Sequence, residues 1–237
     1  MLYQLADNNL EYYIRQDYAE LSISPVLKSP DLRTWIYYDA LNQGGAALPN
    51  TYTATGVEAT ATLGSRYITY DASQDQMRID LELQGEQNSD TPTVMTDFLK
   101  RAMQDCIENG HDSLMAVFSS HGGGFAGFGG DENVRRNRFL RRELLQTNQN
   151  IATAIKTALD EVPGAPDRLD VLGFDACLMQ GVGVADDYMD ITQYILASEA
   201  VEPGHGESTK ILALLPLLIL VRCTQWRSYN DSICKCL

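Results

Sequence analysis

Two short segments carry the residue types of a nucleophilic site. Ser119-Ser120-His121-Gly122-Gly123-Gly124 and Phe174-Asp175-Ala176-Cys177-Leu178-Met179 each continue an apolar run of strand length. A thiol beside an imidazole forms a nucleophilic pair, the imidazole favouring the thiolate and later protonating a leaving amine. Glycine after the histidine lets backbone N–H groups approach a substrate oxygen, as an oxyanion hole requires. Each residue also has a plainer reading. A cysteine after an apolar strand is commonly a small buried hydrophobe, and a histidine before glycines is commonly a turn residue. Their joint position favours chemistry, because functional groups of open α/β sheets collect past the carboxyl ends of strands.

The elements that must position this pair are legible as strands alternating with helices, a pattern of a mainly parallel sheet covered on both faces. Leu114–Phe118, Leu169–Phe174 and Tyr194–Ala197 are short apolar runs suited to central strands buried on both faces. Leu2–Ala6 and Leu32–Tyr38 read as two further strands. Helices are expected over Leu10–Leu21, over the residues after Thr91-Pro92 as far as Ile107, and over Thr147–Leu159. Asn109-Gly110 supplies a C-terminal stop. Between Thr51 and Leu83 the alternation of Thr, Tyr, Val and Ile predicts antiparallel strands or a hairpin insertion.

The composition sets limits on function. A chain of 237 residues, 44% hydrophobic and 21% charged, is long enough for one large domain with a continuous core. Eighteen basic against 32 acidic residues give a net charge of −14, which argues against a nucleic-acid partner and leaves a cationic substrate attractive. Five cysteines, three of them in the last fifteen residues, do not form a disulfide framework. No signal peptide is read at the start, and the longest apolar run, Ile211–Val221, is too short for the roughly 20 residues of a membrane span. With three histidines and neither His-Glu-x-x-His nor paired Cys-x-x-Cys, no metal site or cofactor is expected. Asp186, Asp187 and Asp190 read as an exposed helix face, with calcium as the ion they could bind.

At this point the residues resemble a family. His121-Gly122 after one apolar strand and Asp175-Ala176-Cys177 after another look like the clostripain-like cysteine peptidases of the caspase-fold clan. Asp7-Asn8-Asn9-Leu10, Cys177-Leu178-Met179, Ser198-Glu199 and Glu202-Pro203-Gly204-His205-Gly206 resemble further segments of that family. The resemblance covers about residues 1–207, and residues 208–237 read as an atypical apolar, cysteine-rich segment, the end of a truncated or altered chain. It implies a three-layer α/β/α caspase-like sandwich with a mainly parallel central sheet and a β-hairpin insertion. It implies an endopeptidase acting on protein or peptide substrates with Arg or Lys at the cleaved bond. Cys177 would be the nucleophile, His121 its partner, and the N–H groups of Gly122 and Cys177 the oxyanion donors. Asp175 would pair with the substrate's guanidinium or ammonium. Members of the family mature by cutting themselves between the histidine and the cysteine. Arg135, Arg136, Arg138, Arg141 and Arg142 lie in that interval and would form the processing loop. Some relatives use calcium, and relatives are commonly exported.

Two other readings compete. His121-Gly122-Gly123-Gly124-Phe125 resembles the oxyanion loop of α/β-hydrolase esterases, but the Gly-x-Ser-x-Gly elbow that class needs is absent. An inactive chain of the peptidase fold, serving as a binding module, is the alternative raised by the C-terminal segment.

Overall fold

The protein is described by a computed structural model, which covers residues 1–40, 64–83, 87–131, 146–202 and 221–222. Strands β1 (Leu2–Ala6), β2 (Trp35–Ala40), β5 (Met115–Ser119), β6 (Leu169–Asp175) and β7 (Thr192–Leu196) run parallel in the spatial order β2-β1-β5-β6-β7. β3 (Gly64–Asp71) and β4 (Gln76–Glu82) form an antiparallel hairpin on one edge, and β8 (Val221–Arg222) pairs antiparallel with β7 on the other. The hairpin expected from the Thr51–Leu83 pattern is therefore an extension of the central sheet through β2, not a separate excursion.

Helix α1 (Glu11–Ser22) covers one face of the sheet, and α2 (Pro92–Glu108), α3 (Asn148–Glu161) and α4 (Val182–Tyr188) cover the other. The larger core lies under the three helices. There Tyr3, Tyr37, Phe98, Phe118 and Phe174 form a continuous aromatic band, opened by a Tyr3–Tyr37 stack at 4.4 Å. The smaller core, under α1, gathers Leu2, Ile14, Tyr18, Ile36, Ile68 and Val117. Alternation along each strand divides its residues between the two cores.

Local sequence explains most boundaries. Thr91 accepts the Val94 N–H and Pro92 occupies the first turn of α2, while Gly110, at φ +82°, closes its far end. Thr147 caps α3 through the Asn150 N–H. β2 departs from expectation: it starts at Trp35 and not at Leu32. The Leu32 N–H turns back to the Ser29 carbonyl, and Arg33 and Trp35 both bond the Asp105 carboxylate of α2. A side-chain clamp to the helix thus sets where the strand begins.

Candidate active site

The turn after β1 anchors the carboxyl end of the sheet. The Asn8 side-chain amide donates to the Leu5 carbonyl, the Ser120 hydroxyl and the Gly130 carbonyl, and its oxygen accepts the Leu10 N–H. One buried amide therefore ties the end of β1 to both ends of the segment that carries His121. Phe128 pairs with Gln146, which holds the return of that segment in place.

β5 and β6 are hydrogen-bonded neighbours, with Ser119 opposite Asp175, so His121 and Cys177 leave the same edge side by side. The glycine after the histidine is required by close approach. A Cβ at Gly122 would stand 2.1 Å from the Cys177 carbonyl oxygen and 3.0 Å from the Cys177 nitrogen. Among the described residues, no backbone hydrogen bond takes up the N–H of Gly122 or of Cys177. Leu178 follows with φ +64°, a left-handed conformation costing a leucine on the order of 1–3 kcal/mol, held by its N–H bond to the Ala200 carbonyl. The Cys177 thiol is half-buried and meets the backbone of Glu202, accepting its N–H at 3.4 Å.

A cavity of about 270 Å³ lies beside this junction. Its floor is Ser119, Ser120 and His121 from the β5 end and Asp175, Ala176 and Cys177 from the β6 end. α1 and its first turn contribute Leu10, Ile14 and Asp17, and Val201 and Glu202 close the side. Asp175 is buried, and its Oδ2 accepts the Ser119 hydroxyl at 3.0 Å. The arrangement joins an imidazole, a thiol and buried carboxylates in one concave space, which suits nucleophilic attack on a substrate that brings a positive charge.

The structure also places residues for which sequence reasoning had no role. His121 Nε2 lies 2.6 Å from the Asn9 side-chain oxygen. The Asn9 contact could have been suspected from a polar turn at the end of a strand neighbouring β5. Leu178 gave no signal, because leucine is rarely left-handed. Arg135, Arg136, Arg138, Arg141 and Arg142, and the residues from Pro203 through His205 to Gly206, lie outside the described residues.

Among the described residues, one acidic group meets the spacing of metal ligands: Asp7, Asp39 and Asp131, all fully buried. It was not visible in the sequence, where 32 and 92 positions separate its members. Two of its carboxylates have hydrogen-bonding work already. Asp39 accepts the hydroxyls of Ser65 and Ser89, and Asp131 accepts the Ser89 N–H. Asp186, within α4, and Asp190, beyond it, are exposed, while Asp187 is half-buried. Among the described residues no helix is long and apolar enough to cross a membrane.

An α/β/α sandwich with histidine and cysteine on the ends of adjacent parallel strands is the arrangement of the caspase-like fold. The sequence model of the clostripain family, peptidase family C11, matches residues 2–216, and the chain belongs to that family. This removes the esterase alternative. A secreted C11 cysteine protease from Bacteroides thetaiotaomicron, solved with an irreversible peptide inhibitor, is 21% identical at a TM-score of 0.64, over 91% of this chain and 53% of its own. An inactive zymogen C11 protease from Parabacteroides distasonis is 19% identical at 0.58, over 88% and 50%. A further structure of a secreted C11 cysteine protease from B. thetaiotaomicron, described as iotapain, is 16% identical at 0.56, over 89% and 54%. The likeness at these identities is one of fold, and the chain spans about half the length of these solved relatives. No curated protein sequence matches it.

Proposed function

We propose that this chain is a cysteine endopeptidase cutting after Arg or Lys, with Cys177 as nucleophile and His121 as its proton-transfer partner. The observation that carries the reading is the packing of Gly122 against the Cys177 backbone, beside a cavity floored by Asp175. The Cys177 sulfur attacks the scissile carbonyl carbon, and the thiol proton passes to His121. The negative oxygen of the tetrahedral intermediate lies against the N–H groups of Gly122 and Cys177. As the C–N bond breaks, His121 gives its proton to the departing amine, leaving a thioester on Cys177. Water then adds to the thioester, giving up a proton to the imidazole, and the carboxylic acid leaves as the thiol is restored.

Asp175 supplies the specificity. A buried carboxylate rewards a guanidinium or ammonium with a charge-assisted bond and gives a neutral side chain nothing. The net charge of −14 draws such substrates in. The Arg135–Arg142 cluster, placed in sequence between His121 and Cys177, is a substrate of the same kind carried in the chain, and we assign it to self-cleavage. A family relative crystallised as an inactive zymogen supports a maturation step of this sort.

The test is hydrolysis of fluorogenic peptides ending in Arg, Lys, Asp or Leu by wild type and Cys177→Ala, with denaturing gels of both. Cutting after Arg and Lys alone, lost with Cys177, together with a Cys177-dependent break between 135 and 142, is the expected result. A folded wild type that cuts no peptide refutes the reading and favours the binding-module alternative.

A further inference from the structure

We propose that Phe125, Leu178 and Val182 form a subsite for an apolar side chain on the residue that follows the cleaved bond. The proposal rests on the peptidase reading for the direction of the substrate, and on these three side chains for its chemistry. All three are large apolar residues left in solvent, Phe125 at 94%, Val182 at 63% and Leu178 at 41% exposure. Single apolar residues on a surface are ordinary; three on adjoining segments beside a nucleophile are not. Phe125 sits on the short 3₁₀ turn Gly124–Ala126, three residues past Gly122. Leu178 directly follows Cys177, and Val182 opens α4, which packs against that turn. Gly124 has φ +60°, and a Cβ there would stand 3.2 Å from the Leu178 carbonyl oxygen. The turn that carries Phe125 therefore lies directly on the Leu178 backbone.

The patch is held in place from below. The Asn148 side chain of α3 donates to the Gly124 carbonyl at 3.0 Å, and its oxygen accepts the Tyr188 hydroxyl of α4 at 3.2 Å. Asn148 and Tyr188 are both buried. The N–H groups of Leu178 and Gln180 bond the Ala200 and Ser198 carbonyls. Leu178 keeps its left-handed backbone inside this frame, although a glycine would adopt that conformation without cost. A strained, part-exposed leucine beside a reacting group points to a side chain retained for what it touches.

Position relative to the cavity decides which half of the substrate the patch meets. The cavity opens toward α1, through Leu10, Ile14 and Asp17, and none of the three patch residues lines it. The turn and α4 belong to the opposite side, where Phe128, Met179 and Val184 enter the larger core. A basic side chain in the cavity keeps its own main chain between Cys177 and the wall of Val201 and Glu202. The amine half then leaves across His121, toward Gly124 and Leu178. From Gly122 to Gly130 no side chain carries a charge or a hydrogen-bonding group. An apolar side chain gives up its water there without loss, whereas a carboxylate gives up water and gains no partner. Leucine and phenylalanine are the residues that fit, and the Phe125 ring offers them a broad face.

Two measurements on the full chain test this. In the active protein, kcat/KM is compared for internally quenched peptides with Arg before the cleaved bond and Leu, Phe, Gly or Asp after it. In Cys177→Ala, fluorescence anisotropy compares the binding of dye-labelled Leu and Gly peptides. Leu and Phe are expected to exceed Gly about tenfold, the worth of a few buried methylenes, and Asp to fall below Gly. Phe125→Ala is expected to bring the Leu-to-Gly ratio close to one, with Val182→Ser lowering it in part. Phe125 is so exposed that its truncation removes little packing, and the variant should fold. Inhibition by a peptide ending in argininal, which has no residue past the reacting carbon, separates contact from support. Argininal affinity that holds while the ratio collapses upholds the subsite; argininal affinity that falls as far as the Leu rate overturns it. Equal rates for Leu and Gly, or a ratio unmoved by Phe125→Ala, also overturn it. A Phe125-dependent dimer on a sizing column, with no preference among the peptides, assigns the patch to a second copy and overturns the inference. Phe125-dependent preference of Cys177→Ala for the Leu peptide, in a chain whose wild type cuts nothing, upholds the subsite and refutes the peptidase reading alone.

Discussion

Adding one methyl group at Gly122 should remove most of the proposed peptidase activity while leaving most of the molecule standing. In Gly122→Ala the new Cβ would meet the Cys177 carbonyl oxygen at 2.1 Å, with the Ala176 Cβ and the Cys177 nitrogen each at 3.0 Å. The obstacle is backbone, so no rotamer relieves it. Moving that contact beyond 3.0 Å displaces the β5 and β6 ends by about 0.9 Å relative to each other. A misplacement near 1 Å between reacting groups costs on the order of 10²-fold in rate. Overpacking of this kind destabilises by about 1–3 kcal/mol, less than most domains possess. Hydrolysis of an Arg-ending fluorogenic peptide should therefore fall about 100-fold in kcat/KM, while circular dichroism still reports a folded protein with a lower melting temperature. Gly183→Ala is the matched control. Its Cβ meets nothing within 4 Å and it lies in α4, so activity should hold and stability rise by about 0.5–1 kcal/mol. A Gly122→Ala protein with activity within twofold of wild type would refute the claim that this contact aligns the two residues.

Three further outcomes follow from other contacts. Asn9→Ala removes the oxygen 2.6 Å from His121 Nε2 and should lower kcat/KM up to about tenfold, the worth of one hydrogen bond, with a displaced pH–rate profile. An unchanged profile would deny Asn9 any role in orienting the imidazole. Burial would raise the Asp105 carboxyl, but bonds from Arg33 and Trp35 and the nearby guanidinium charges outweigh it and hold the group below its ordinary 3.8. Its contribution is thus fully present above that value and fades as pH falls through the lower folded value. Asp105→Asn should accordingly show a flatter loss of stability in acid than wild type, read by urea melts from pH 5 to pH 2. Burial pushes the Cys106 thiol up, so iodoacetamide at neutral pH should leave the Cys106 peptide unlabelled in native protein and label it in urea; labelling in the native state would contradict its burial.

The parts of this architecture that were readable in the sequence depend on short-range chemistry. Apolar runs at Leu114–Phe118 and Leu169–Phe174 reveal strands because both their faces are covered, and Thr91-Pro92 marks a helix start because the cap is local. His121 and Cys177 stood out because each ends such a run. What was hidden depends on distance along the chain. The Asp105 clamp that delays β2 reaches across about 70 residues. Asp17 looks like an ordinary charge on an amphipathic helix until the sheet beneath it is known. Gln4 sits mid-strand in an apolar context, and only strand register places it beside Ser119, the residue whose hydroxyl bonds Asp175.

The frame that brackets residues 132–145 has a consequence for the chain as an object. On one side, the Asp131 and Gly130 N–H groups bond the Asp90 carboxylate; on the other, the Gln146 side chain bonds the Asp90 carbonyl. Any break in that interval separates β5 from β6 in sequence but not in space. Five paired residues join those strands, Phe118 stacks on Phe174, and α2 packs on α3. The severed protein would therefore behave as a heterodimer of its own halves, whose interface is the core of a single domain. It would elute as one species from a native sizing column and as two pieces in denaturant. Its recovery after unfolding would depend on concentration, which the uncut chain's would not.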